Sequence, residues 1–219
     1  MNRKLALLIL PLALAANAQP SSCSSDGAPA PRALLERFIN ADCENCWKDP
    51  QTPDPAPGTL AIDWVAAGSR GDDAPLSAVA SRDGGDRLDA LGKKIPAQSA
   101  THFSQRSGEA PPKMRVAHGL PFNEYIGTSI EMQAAPGGPW KAWLLLVETL
   151  PAGSEGTPVE RNLVRNAFVA DWPTEAKKRY ELRPMRIAEG AKFERLRVVG
   201  WIEDAKGRVR AIAQSRCER

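Results

Sequence analysis

The sequence predicts two architectures in series: an α/β part over residues 32–124 and an antiparallel β-sandwich over residues 125–219. Three observations predict this. Before residue 125, strand-like apolar runs are separated by a helical pattern and by long polar stretches. After residue 125, almost every apolar run alternates or reads as a strand, with Gly- and Pro-bearing turns between. A C-x-x-C pair, Cys43 and Cys46, follows directly on the first strand.

The N-terminus reads as an export signal over residues 1–18. Arg3 and Lys4 give a basic start, LALLILPLALAA (5–16) is an apolar run, and Ala16-Asn17-Ala18 is a small-x-small cleavage site. The run is too short for a permanent membrane span, so no integral span is expected and the protein is expected in the periplasm or secreted. The residues before Cys23 lack the pattern that lipid attachment needs. QPSSCSSDGAPAP (19–31) reads as an extended, flexible leader ordered where Cys23 pins it.

Each element follows in order. ALLERFI (33–39) is apolar on both sides and reads as a strand buried on both faces. LAIDWVA (60–66) reads the same way, as a central strand. Leu76, Val79, Ala80, Leu88 and Leu91 suit a helix over 76–92, with Gly84-Gly85 as a point where it splits. Residues 93–112 are polar and irregular, and KMRVAH (113–118) is a strand. Then come strands over 128–135, 140–150 and 158–172, with PGGP (136–139) as a turn. RLRVVGWIED (195–204) and RVRAIAQSRC (208–217) form a hairpin around Ala205-Lys206-Gly207. Trp140, Trp143, Trp172 and Trp201 lie in or beside these strands and are expected in the core or on a sheet face.

Charge says little about partners, and no nucleic-acid partner is expected. The net charge is +3, falling to +1 once Arg3 and Lys4 are removed, and no basic and aromatic cluster appears. Export makes disulfides the default state of the four cysteines. Three connectivities are open. Spacing favours Cys43–Cys46, leaving Cys23–Cys217 to join the two ends of the mature chain, where loop-closure entropy is worth about 5 kcal/mol.

A strand running into C-x-x-C at a helix start is the arrangement of thiol–disulfide exchange. The helix N-terminus favours the thiolate of Cys43, which attacks a substrate disulfide, and Cys46 resolves the mixed disulfide. Asp42 is expected as the N-cap. Against this, Glu44 places a negative charge between the two cysteines. Pro50 holds Asp49 out of helical geometry, and four of the thirteen residues 47–59 are proline. Two functions therefore stand: exchange on the thiols or disulfides of exported proteins through catalytic Cys43 and Cys46, or a non-catalytic binding or envelope-interaction module in which Cys43–Cys46 is a structural clip. Trp47 either shields that disulfide or anchors the loop.

FINADCENCW, LAIDWV and PPKMRVAHG, followed by ERNLVRNAFVADW and RVVGWIEDAKGRVRAIAQ, together resemble the secreted bacterial thioredoxin-like proteins of a domain family of unknown function. The resemblance implies a degenerate thioredoxin-like part followed by the β-sandwich. It also implies a cis-proline opposite the cysteine pair, at Pro111 or Pro112. The family's full helix after the cysteines is cut down here, and its His- and aromatic-rich segment is replaced by AAGSRGDDAP.

Other chemistries lack their residues. Zinc at the C-x-x-C needs two more ligands, and His102 and His118, the two histidines, form no second close pair. No nucleophile elbow, phosphate loop or dinucleotide fingerprint is present. Neither a cofactor nor a metal is expected.

Overall fold

Runs of leucine, valine, isoleucine and tryptophan, interrupted by turn residues and seldom by helix-forming stretches, give this chain over largely to strands. The computed structural model describes residues 22–108, 111–133, 137–176 and 178–217. The export signal read over 1–18 and the first residues of the leader lie outside them. In chain order the elements are β1 (Cys23–Ser24), β2 (Ala33–Asn40), α1 (Glu44–Trp47), β3 (Thr59–Ala66), α2 (Arg82–Ala90), β4 (Ser99–Gln105), β5 (Met114–Phe122), β6 (Tyr125–Met132), β7 (Trp140–Leu150), β8 (Arg161–Trp172), β9 (Tyr180–Arg186), β10 (Leu196–Asp204) and β11 (Val209–Gln214).

The strands form a seven-stranded sheet, ordered β11-β10-β7-β8-β3-β2-β4, and a four-stranded sheet, ordered β1-β5-β6-β9. This corrects the expected fold class. No thioredoxin-like α/β unit stands before a separate sandwich, because β2, β3 and β4 complete the same sheet as β7, β8, β10 and β11. The β5–β6 hairpin spans residue 125, turning through Asn123 and Glu124, both at positive φ (46° and 64°), the turn that matches strand twist.

Strand alternation sends side chains to two faces of the large sheet. One face meets the four-stranded sheet: Val116, Ile126, Ile130 and Met185 pack on Leu144, Leu146, Val198 and Ile202. Gly200 is required at this contact, since a Cβ there would lie 2.8 Å from Val116 and 2.9 Å from Ile130. The other face is curled inward. Ser107, just past β4, donates its N–H to the Val209 carbonyl of β11 (2.8 Å), so opposite edges of the sheet meet at one end. Phe38, Trp64, Trp143 and Trp201 fill the enclosed space, with Phe38–Trp64 and Trp143–Trp201 stacked at 6.2 and 5.5 Å.

β3 and β8 run parallel but share a single register pair, Asp63 with Leu163. Where they diverge, α2 fills the gap. Gly84 sits within the helix rather than splitting it, because a Cβ there would come 3.3 Å from Ala66 Cα. Asp83 accepts the backbone N–H of Ala167 on β8. The break falls instead before α2, where Ser81 donates its N–H to the Val65 carbonyl.

Candidate functional site

β2 delivers the C-x-x-C to the surface. Asn40 ends the strand and orders the turn: its Oδ1 accepts the Asp42 N–H, its Nδ2 donates to the Pro96 carbonyl, and its own carbonyl accepts the Cys43 N–H. Cys43 and Cys46 are disulfide-bonded and partly exposed. The helix that starts after Cys43 and holds Cys46, α1, is one turn of four residues. Asp42 does not cap it. Cys43 occupies the N-cap position, and the Asp42 carboxylate turns away to accept the Ser69 N–H and hydroxyl (both 2.8 Å) and the Arg70 N–H.

The electrostatics at Cys43 are acidic. Burial works against ionised Asp42, but the hydrogen bonds from Ser69 and Arg70 outweigh it and hold the carboxyl below its usual range. The hydrogen bond from Lys48, reinforced by its charge, does the same for Glu44. Two ionised carboxylates thus flank Cys43, and both oppose a thiolate there.

Behind the loop lies a buried clamp. The first helical turn ends at Trp47, whose indole donates to the Glu155 carbonyl and lies 4.7 Å from the Arg161 guanidinium. Arg161, fully buried, donates to the Trp47 carbonyl, to Thr52 and Thr157, and to Asp63 (2.8 Å). Arg37 donates to the other Asp63 oxygen (2.6 Å) and to the carbonyls of Pro53 and Glu160. Asp63 also accepts the Asn162 N–H. The proline-rich loop is therefore fixed by two arginines sharing one carboxylate. The cavity beside Cys46 is small, about 40 Å³.

A second buried ion cluster sits on the enclosed face. Arg87 of α2 forms a fork with Glu36 (2.8 Å to each oxygen), donates to Glu203 (2.9 Å), and lies 4.7 and 5.0 Å from the Trp143 and Trp201 rings. The Trp201 indole also donates to Glu203. The two Glu36 and Glu203 carboxylates outweigh the burial of Arg87 and raise its pKa. His102 stands at the rim of this face, between Lys93 and Ser104.

The other disulfide, Cys23–Cys217, ties β1 to the tail of β11 (S–S 2.05 Å). Ser24 and Arg216 exchange backbone hydrogen bonds beside it, and Cys23 is paired across the strands with His118. A carbonyl can only accept, so His118 Nδ1 carries the proton it donates to the Gly119 oxygen, and Nε2 presents its lone pair. That Nε2 is buried without a hydrogen-bond partner among the described residues. Burial pushes the His118 pKa down, against the Gly119 hydrogen bond.

The structure describes the surroundings of both candidate prolines, and the peptide bond into one of them. Pro111 and Pro112 line an open cleft beside leader residues Ser25–Ala30 and β11, away from the cysteine pair. The cis peptide bond among the described residues precedes Pro139, not Pro112; the bond into Pro111 involves residue 110, outside the described set.

Sequence reasoning missed both ion clusters and the imidazole at the second disulfide. A signal for the first two was present: Glu36-Arg37 and Asp63 interrupt strands that are otherwise apolar, where an unpaired charge is prohibitive. Among the described residues no helix is long and apolar enough to cross a membrane. Compared with known protein families, with curated proteins and with solved structures, the chain matches none.

Proposed function

We propose that the protein is an exported, non-catalytic binding module and that Cys43–Cys46 is a structural clip in it. The observation that carries this reading is the buried Arg37–Asp63–Arg161 clamp, which fixes the loop after the cysteines at Trp47, Thr52 and Pro53. Thiol exchange needs an activated thiolate and a groove for the partner chain. Here the helix is one turn, Asp42 and Glu44 flank the thiol, and the neighbouring cavity is water-sized. Export is supported by the basic-then-apolar N-terminus and by the pairing of all four cysteines. Exposed apolar side chains for a partner are concentrated on the four-stranded sheet, at Leu120, Phe122, Tyr125 and Leu182.

The test is a Cys46→Ser variant expressed with its export signal. A redox-active Cys43 would accumulate mixed disulfides with other exported proteins, because its resolving thiol is gone. The clip reading expects none, and expects Cys43–Cys46 in the parent protein to survive mild dithiol treatment while folded. Mixed disulfides on Cys43, together with faster alkylation of Cys43 than Cys46 after mild reduction, would establish exchange and remove the clip reading.

A further inference from the structure

We propose that Cys23, Cys217 and His118 form a redox-gated site for a thiophilic d10 metal ion of the Cu(I) class, opened when the Cys23–Cys217 disulfide is reduced. The two sulfurs and a His118 ring nitrogen lie within 4.8 Å of one another. Metal–sulfur and metal–nitrogen bonds of about 2.0–2.3 Å need ligand atoms about 3.5–4 Å apart in a trigonal arrangement. Once the S–S bond is broken, small side-chain rotations supply that spacing.

The rest of the site is already arranged. His118 is 6 % exposed and its Nε2 has no partner among the described residues, a costly state for a buried acceptor unless something else uses the lone pair. Its Nδ1–H is anchored on the Gly119 carbonyl, the outer contact that fixes a metal-binding imidazole in the right tautomer. Backbone bonds keep the sulfurs near each other without the disulfide. Ser24 and Arg216 exchange two hydrogen bonds, and Cys23 stays in register with His118. The two thiolates are soft ligands, imidazole is a nitrogen donor that also suits copper, and three such ligands satisfy Cu(I) without a fourth.

The gating step is balanced by a dithiol reductant. Cys217 is the more exposed of the two cysteines, and a thiolate of the reductant attacks its sulfur. The S–S bond breaks, and Cys23 leaves as a thiolate and takes up a proton. The reductant's second thiol then displaces Cys217 and closes the reductant's own disulfide, so two electrons pass to the protein. Metal entry replaces the two thiol protons, which go to solvent, and His118 Nε2 donates its lone pair.

The test uses the full-length protein carrying Cys43→Ser and Cys46→Ser, so that one disulfide remains. It is reduced anaerobically with a phosphine and titrated with Cu(I) against bicinchoninate. The expected result is about one tightly held Cu(I) per chain after reduction and none before it. His118→Gln is expected to weaken that binding at least ~10-fold. Circular dichroism of each sample records whether the β-fold persists. The proposal is overturned if the reduced chain, folded or not, takes up no Cu(I), or holds it equally well with glutamine at 118.

Discussion

Around Cys43–Cys46 the chain is held from beneath by buried ion pairs, whereas around Cys23–Cys217 it is held by the disulfide and a few backbone bonds beside it. Under the first pair, the Arg37–Asp63–Arg161 clamp reaches Trp47, Thr52, Pro53 and Glu160. Beside the second, β1 is two residues long and its companions are a few backbone bonds to β5 and Arg216. The pairs also differ in sequence separation, 3 residues against 194. The motif most visible in the sequence is thus mechanically the more redundant, and the inconspicuous pair carries the longer constraint.

Three variants sharpen or break that contrast. Cys23→Ser with Cys217→Ser has the largest expected effect, about 5 kcal/mol of stability from loop-closure entropy. Equilibrium urea unfolding measures it, and a loss below about 1 kcal/mol would show that the backbone pairing beside the bond suffices. Next, Asp63→Asn leaves two buried guanidinium groups sharing no carboxylate, an expected loss of about 3–5 kcal/mol. Protease cleavage within residues 48–58 should rise in step, and an unchanged cleavage rate would mean the clamp does not hold that loop. The smallest expected effect belongs to Cys43→Ser with Cys46→Ser, about 2 kcal/mol for so short a loop. If this pair costs as much as Cys23–Cys217, the loop depends on its own disulfide and the contrast fails.

Much of the strand inventory was legible. β2, β3, β7, β8, β10 and β11 follow apolar runs that local pattern reveals, and the buried tryptophans lie where strand-rich apolar sequence places them. β4 was not legible because its inward positions, Ala100, His102 and Ser104, are small or polar, as suits the edge of a sheet. β9 was hidden by Pro184 and four charged or polar neighbours in seven residues. The architecture failed for a different reason. That β3 lies beside β8 is a non-local choice, and β2–β3 parallel pairing alone suits both an α/β unit and this mixed sheet.

At the candidate site, the cysteine spacing announced itself while its surroundings did not. Glu36 and Arg37 are adjacent in sequence yet face opposite sides of β2, one toward Arg87 and one toward Asp63. Alternation predicts that they diverge, but not which distant charge each meets. His118 beside Cys23 likewise depends on the register of a two-residue strand.

The single ladder pair between β3 and β8 bears on how the molecule comes apart. Across that seam most of the bonding is done by side chains: Asp63 accepts from Asn162 and Arg161, and Asn162 Nδ2 donates to the Ala61 carbonyl. Elsewhere in the sheet, backbone ladders make each strand's loss the loss of its neighbour. Here the coupling of the two halves falls largely to side chains, Asp63 and Asn162 at the seam and Arg87 between Glu36 and Glu203 across the enclosed face, so the size of the cooperative unit is written in a few buried polar residues as much as in the main chain.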